Sequence, residues 1–336
     1  MAIKHFLASG ALLIGGLLGA QAHAQSVEQI RFPLVPQPHA LVPGTLDLTP
    51  TAGAFADLST RGAVIMNSVP MPDGTRLDLD LTRVNFDFQA MGVEVNGVPT
   101  PYDPLDLSLW RGFVVGDQDS EVFLAFATYG CNGWIYTQGE YHHLIACAGP
   151  NNDWSQAEAR LVPDTVMNDL GGARAKLCGN TSLPGGGLVP SNVTTPVGST
   201  GGTTFRSVNR WTTLECKVAV ETDYQYYQNW NNLTACQNYT ATLLAEISDR
   251  YNTSLDVVLT YPYLQFYTSS NDPWTSQGGG SGAVLTEFRN AWAGNIPNGA
   301  NLAHFMSGAA LGGGVAYLDA LCDCFWGFGV SGDMDG

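Results

Sequence analysis

The chain has 336 residues, 45% of them hydrophobic, and carries 14 Lys and Arg against 30 Asp and Glu, a formal net charge of −16. That apolar share excludes a mostly disordered protein and is enough for two modest regions that each bury a core. An acidic surface of this strength repels polyanions, so neither nucleic acid nor an anionic membrane is an expected partner.

Residues 1–24 read as an export signal. Lys4 supplies a short positive start, Phe6 to Ala20 is an apolar run rich in small residues, and Ala22-His23-Ala24 before Gln25 has the small-x-small form of a cleavage site. The run is interrupted by glycines and shorter than the roughly 20 residues a bilayer crossing needs. Secretion, to the cell exterior or a periplasm, is the expected fate. Export places seven cysteines, Cys131, Cys147, Cys178, Cys216, Cys236, Cys322 and Cys324, in an oxidising compartment where pairing is the default. The odd count leaves at least one thiol without a mate inside the chain.

The next region, residues 25–183, reads as all-β. Short alternating runs such as Leu77-Asp-Leu-Asp-Leu-Thr and Val93-Glu-Val-Asn-Gly-Val are broken by Pro, Gly and Asp. Asp117, Asp119 and Glu121 gather in one turn, but they lack the glycine and distal glutamate of an EF-hand loop and read as a solvated turn. His142 and His143, adjacent on a strand, would point to opposite faces, which disfavours a shared metal. Cys131 and Cys147 are disulfide candidates within this region. Residues 184–206 then shift to Pro-Gly-Gly-Gly-Leu-Val-Pro followed by Ser, Thr and Gly with almost no charge. Such a segment buries too little apolar surface to offset its ordering entropy and reads as an exposed, cleavable linker.

Over residues 207–336 the periodicity changes. Cys216-Lys-Val-Ala-Val-Glu is a short strand, and Tyr239, Leu243, Ile247 and Tyr251 recur every fourth residue with Leu244 and Ala235 beside them, which predicts a helix. Asp256 to Thr268 reads as a strand that Pro262 marks as an edge or a bulge. Val284, Leu285, Phe288 and Trp292 form the stripe of a second helix, and Leu302 to Met306 and Gly314 to Leu321 are strand-like. The order β-α-β-α-β-β predicts an α/β sheet with two helices and an unfinished end. The expected fold class is therefore α+β, an all-β region followed by an incomplete α/β region. Glu221 and Asp223 are neighbouring carboxylates that read as a solvated strand terminus, and Asp333 to Gly336 as a terminal acidic turn. Cys216 and Cys236 are a candidate tie between strand and helix, while Cys322 and Cys324, one residue apart, would bridge only with strain and read as unpaired.

Several segments in order resemble one family. Cys216-Lys-Val-Ala-Val-Glu-Thr-Asp-Tyr, Tyr239-x-x-x-Leu-Leu-Ala-Glu-Ile-Ser-x-x-Tyr251, Leu285-x-x-Phe-Arg-x-x-Trp292, Ala303-His-Phe-Met-Ser-Gly308 and Leu311-Gly-Gly-Gly-Val-Ala-Tyr-Leu-Asp-Ala-Leu-Cys322 are similar to the N-terminal part of reprolysin-like metzincins, bacterial secreted ones in particular. The all-β region looks similar to their propeptides. The resemblance implies a zinc endopeptidase acting on proteins or peptides, and next requires His-Glu-x-x-His-x-x-Gly-x-x-His, in which three histidines bind zinc and the glutamate serves as base. The sequence contains no such motif, and His304 is the one histidine after the linker. Zinc is thus expected for a complete family member and not for this chain. By the same resemblance, Cys178 in Ala175-Lys-Leu-Cys-Gly-Asn180 looks like a propeptide zinc switch, with pairing to another cysteine as the alternative, and Glu215 lies where some members place a calcium-binding glutamate. A serine-hydrolase elbow fails at the last position around Ser281, and no phosphate-binding loop is present. The leading expectation is a secreted metalloendopeptidase precursor cut short before its zinc motif and inactive as written. The alternative is a secreted non-enzymatic binding or inhibitory protein that keeps a protease-like half domain.

Overall fold

The computed structural model describes residues 27–38, 40–104, 106–170, 214–318, 320–321 and 323–334. The segments expected as an export signal (1–24) and a linker (184–206), together with Cys178 and Cys322, lie outside them. Among the described residues, 17 strands form two sheets. The first part of the chain supplies β1 (Glu28–Arg31), β2 (Leu34–Pro36), β3 (Leu46–Pro50), β4 (Ala63–Pro70), β5 (Arg76–Arg83), β6 (Val93–Val95), β7 (Val98–Pro99), β8 (Ser108–Val114), β9 (Glu121–Phe126), β10 (Asn132–Thr137), β11 (Glu140–Gly149) and β12 (Asp153–Pro163), with helices α1 (Ala54–Leu58) and α2 (Asp164–Leu170). The second part runs β13 (Leu214–Thr222), α3 (Tyr224–Gln228), α4 (Leu233–Leu255), β14 (Val257–Phe266), α5 (Ser281–Trp292), β15 (Leu302–Met306), β16 (Gly314–Ala316) and β17 (Phe328–Ser331).

Ten strands make the first sheet, ordered β1-β4-β5-β8-β9-β10-β11-β12-β3-β2 and antiparallel except where β1 meets β4. Alternation explains the pairing: Leu79 and Leu81 of β5, Trp110 of β8 and Leu124 of β9 turn to one face and bury with Val64, Met66 and Leu161. Each such side chain contributes about 2 kcal/mol on leaving water.

The second sheet has the order β16-β17-β15-β13-β14-β6-β7. Strands β17, β15, β13, β14 and β6 run parallel, and β16 and β7 close the two ends antiparallel. Helix α4 makes the crossover from β13 to β14, as parallel neighbours require. It starts at Asn232, whose side chain accepts the Ala235 amide at 3.0 Å, and ends at Asp256 in a left-handed conformation with φ 55°. Helix α5 covers the other face, where Val284, Leu285 and Phe288 pack on Trp274, Phe305 and Phe328.

Two departures from the sequence reading concern this sheet. Pro262 does mark a bulge, since the register shifts between Lys217 paired with Thr260 and Ala219 paired with Tyr263. Yet β14 is no edge. Strand β6, from the β-rich region, lies along it, with Leu264, Gln265 and Phe266 opposite Val93, Glu94 and Val95. The hairpin of β6 and β7 turns through Asn96 (φ 51°) and Gly97 (φ 76°), both left-handed as a two-residue loop demands. At the other end, the strand expected over 314–321 stops at Ala316, and β17, hidden in sequence by the glycines of Gly-Phe-Gly-Val, takes a place between β16 and β15.

The expected stripe of α4 holds except at Tyr251: Ala235 and Leu244 are buried, and Tyr239, Leu243 and Ile247 are partly buried against the same core. Ala241, Leu244, Ala245 and Ser248 are buried, while Tyr251 is exposed. Small residues at 241, 245 and 248 let the helix lie close on β14. Its opposite side is not open to water, because the first sheet packs there.

Candidate functional site

In an open α/β sheet, ligand sites form at the carboxyl ends of the parallel strands. Here that end is organised by Asp223, which follows β13 and caps α3. Its carboxylate accepts the Tyr226 amide at 2.8 Å, the Gly308 amide at 3.1 Å and the Ser307 hydroxyl in a short bond. The residue is 0% exposed. Burial raises its pKa, against the pull of the Ser307, Gly308 and Tyr226 donors, and the nearby Asp272 raises it further. Gly308 is a requirement of this junction, since a Cβ there would stand 2.3 Å from the Gln225 carbonyl oxygen.

The segment after β17 is fastened across the same strand ends. Asp333, at φ 55°, accepts the Gly313 amide at 2.8 Å and donates its own amide to Ala309 at 2.9 Å. The Met334 amide reaches Ser307 at 3.0 Å, and its carbonyl accepts the Asn229 side chain in a short bond. Within the expected terminal acidic turn, Asp333 is buried and its carboxylate is used inside the fold.

Glu221, two residues before Asp223, is 2% exposed. One oxygen accepts the Trp274 indole at 3.2 Å, and the Tyr267 and Tyr263 hydroxyls also act on the carboxyl. Burial pushes this carboxyl up to about 8; Tyr267, Tyr263 and Trp274 oppose the shift and Glu94 of β6 adds to it. It is therefore held protonated at neutral pH. The solvated-terminus reading of Glu221 and Asp223 is overturned at both positions. For Asp223 the signal was present in sequence as an N-cap aspartate before Tyr-Gln-Tyr-Tyr. Nothing local marks Glu221, whose burial comes from Trp274 and the tyrosines of β14 and its extension.

The residues singled out in sequence do not converge. Glu215 lies exposed on β13, accepting the Thr260 hydroxyl at 2.8 Å. His304 bonds through Nε2 to the Ser331 hydroxyl at 3.0 Å and lies against Gly329, and burial pushes its imidazole down to about 4. Opposite pairing, His143 with Trp134 and His142 with Ile135, sets the two adjacent histidines on opposite faces as expected. In the acidic turn, Asp117 accepts the Thr137 hydroxyl at 2.7 Å and Glu121 pairs with Arg250 at 3.3 Å. Among the described residues no group of three or more His, Cys, Asp or Glu could hold a metal ion. His304, tied to Ser331 with no second imidazole beside it, does not fit a zinc site.

The disulfide candidates sit in different surroundings. Cys131 and Leu144 share the first core, and three residues beyond Leu144, Cys147 turns to the other face of β11 beside Arg160. Both thiols are free, and burial pushes that of Cys131 up to about 12. Cys216 is in register with Leu259, whose amide and carbonyl both bond to Ser248. Cys236 precedes Ser248 by twelve residues, about 18 Å along the helix, whereas a disulfide needs Cα atoms within about 7 Å. Neither expected pairing, Cys131 with Cys147 or Cys216 with Cys236, is formed in the structure. Cys324 is free and exposed.

Residues 212–335 match a family model described as Reprolysin_5: Metallo-peptidase family M12. This region resembles the reprolysin-like M12 metallopeptidases. The reprolysin-like match takes in β13 through β17 with α3, α4 and α5, the strand-end junction of Asp223 among them. A comparison with curated proteins found no match. Among solved structures, the chain is similar to metalloproteinase-II from Bacteroides fragilis at 10% sequence identity, over 84% of this chain and 79% of that one, with a TM-score of 0.43. No helix among the described residues is long and apolar enough to cross a membrane.

Proposed function

We propose that the chain comprises a propeptide-like β-rich region and the N-terminal part of the catalytic region of a secreted zinc metalloendopeptidase of the reprolysin-like metzincin type. The observation that carries this reading is the family match over 212–335, which takes in five of the seven strands of the second sheet with their crossover helices. The substrates of a complete enzyme would be proteins or peptides. The chain itself carries no His-Glu-x-x-His, and its described histidines do not gather, so no hydrolytic step is derived from its residues. Cys178 would supply the thiolate of a latency switch, and Glu215 one oxygen of a calcium site.

Two measurements on the purified protein test this. A fluorogenic peptide library and casein should both remain uncut by the 336-residue chain in zinc-containing buffer. Hydrolysis that tracks with the pure protein and is abolished by a zinc chelator would overturn the reading of an incomplete site. The non-enzymatic alternative predicts something different, a dose-dependent inhibition or tight capture of a metalloprotease added in trans.

A further inference from the structure

We propose that the β-rich region is a permanent half of the folded molecule, so that cutting the connection within 184–206 leaves the two pieces bound as a non-covalent heterodimer. The seam between them carries the inference, which holds whether or not a completed protein is a protease.

Three kinds of contact cross the seam. The first is a shared sheet. Strand β6 hydrogen-bonds along β14, extended by Gly92 to Tyr261 at 3.1 Å, Leu264 to Gly92 at 2.8 Å and Asn96 to Phe266 at 2.8 Å. The Asn96 side chain then clasps Thr268 twice, donating to its hydroxyl at 2.7 Å and accepting its amide at 2.9 Å. The fit is close enough that a Cβ on Gly92 would stand 1.9 Å from the Pro262 carbonyl oxygen. The second is a shared core, in which Met91, Val93, Tyr102, Leu107 and Phe123 are buried in one cluster with residues of α4 and β14. The third is a polar layer on the far side of α4. Tyr102 donates to Asn238 at 2.7 Å in a buried bond, Trp134 donates to Glu246 at 2.9 Å, and Arg111 pairs with Asp249 at 3.0 Å.

Separation would break all three at once. It would strip β14 to a bare edge, uncover an apolar core and leave the buried Asn238 without its partner. Regions that share a hydrophobic core and a sheet behave as an obligate pair rather than as domains free to part.

The test uses the full chain with a specific protease site placed in 184–206, cut to completion in native buffer containing a reductant, so that no disulfide can hold the pieces. Size-exclusion chromatography with light scattering should show one species of the uncut mass that resolves into two polypeptides on a denaturing gel. Two separate species at micromolar concentration would overturn the proposal. In the same cleaved format Gly92→Ala should weaken association by about tenfold or more, and an association unchanged by it would count equally against the proposal. Should that variant not accumulate, Tyr102→Phe removes one buried bond at nearly constant volume and should weaken the pair by about fivefold; no change would contradict the seam described.

Discussion

Asp223 shows how one residue joins segments distant in sequence. It caps α3 and also holds Ser307 and Gly308 beyond β15, so its removal uncaps a helix and leaves two donors unpaired. Asp223→Ala should cost about 2–4 kcal/mol in urea denaturation, and Asp223→Asn clearly less because an amide oxygen still accepts. Equal losses for the two variants would mean that charge, not the hydrogen bonds, is what the site requires. Glu221 makes the opposite point, a carboxyl kept neutral by burial. Its pKa is raised to about 8 from an ordinary 4.5, so the native state retains a proton that the unfolded chain has lost. The stability it contributes is fully present below about pH 4.5, falls as pH rises, and is gone above about pH 8. Glu221→Gln should flatten the decline of Tm across this window and leave the variant above wild type at pH 9. Parallel Tm curves for the two proteins would show that Glu221 is ionised in the fold. The N-cap role of Asp223 was open to sequence reasoning, since aspartate before a helical run has a local physical meaning. Burial of Glu221 was not, because it depends on Trp274, which lies far along the chain.

At the scale of elements, periodicity found both long helices and placed α5 on the right face, with Val284, Leu285 and Phe288 buried as expected. In α4 it erred at Tyr251, which is exposed, and gave no weight to Ala241, Ala245 and Ser248, whose small side chains allow close approach to β14. Ser248 shows what this closeness achieves. Its hydroxyl donates to the Leu259 carbonyl at 3.0 Å and accepts the Leu259 amide at 3.1 Å, occupying ladder positions at the bulged stretch of β14. Ser248→Ala should therefore cost about 1–3 kcal/mol by chemical denaturation, more than an exposed serine, and a loss near zero would mean the strand finds other partners. The hairpin of β6 and β7 was legible as a hairpin through Val-Asn-Gly-Val. Its destination was not, because alternation reports which face a strand buries but not which sheet it joins. Strand β17 was missed for a simpler reason: two of the residues around its start are glycines, which add no side chain to the pattern.

At the scale of the whole molecule, the sequence divides the chain by composition and the structure rejoins it through α4, which lies between the two sheets. The two regions should consequently unfold together. The full chain is expected to melt in a single calorimetric transition, and residues 207–336 produced alone should show no cooperative melting, since β14 and one side of α4 would be bare. A sharp transition in the isolated piece would show that the β-rich region is dispensable. The resemblance of 212–335 to M12 metallopeptidases rests on the family match, and three of its polar side chains are engaged within the fold: His304 holds Ser331, Glu215 holds Thr260, and Asp223 holds the strand ends.

Zinc content tests the proposed incompleteness of the site directly. The untagged protein, dialysed after exposure to excess zinc and examined by atomic emission, should retain far less than one zinc per chain, and chelation should leave its Tm unchanged. One tightly held zinc per chain, with a Tm that falls when it is removed, would contradict the account.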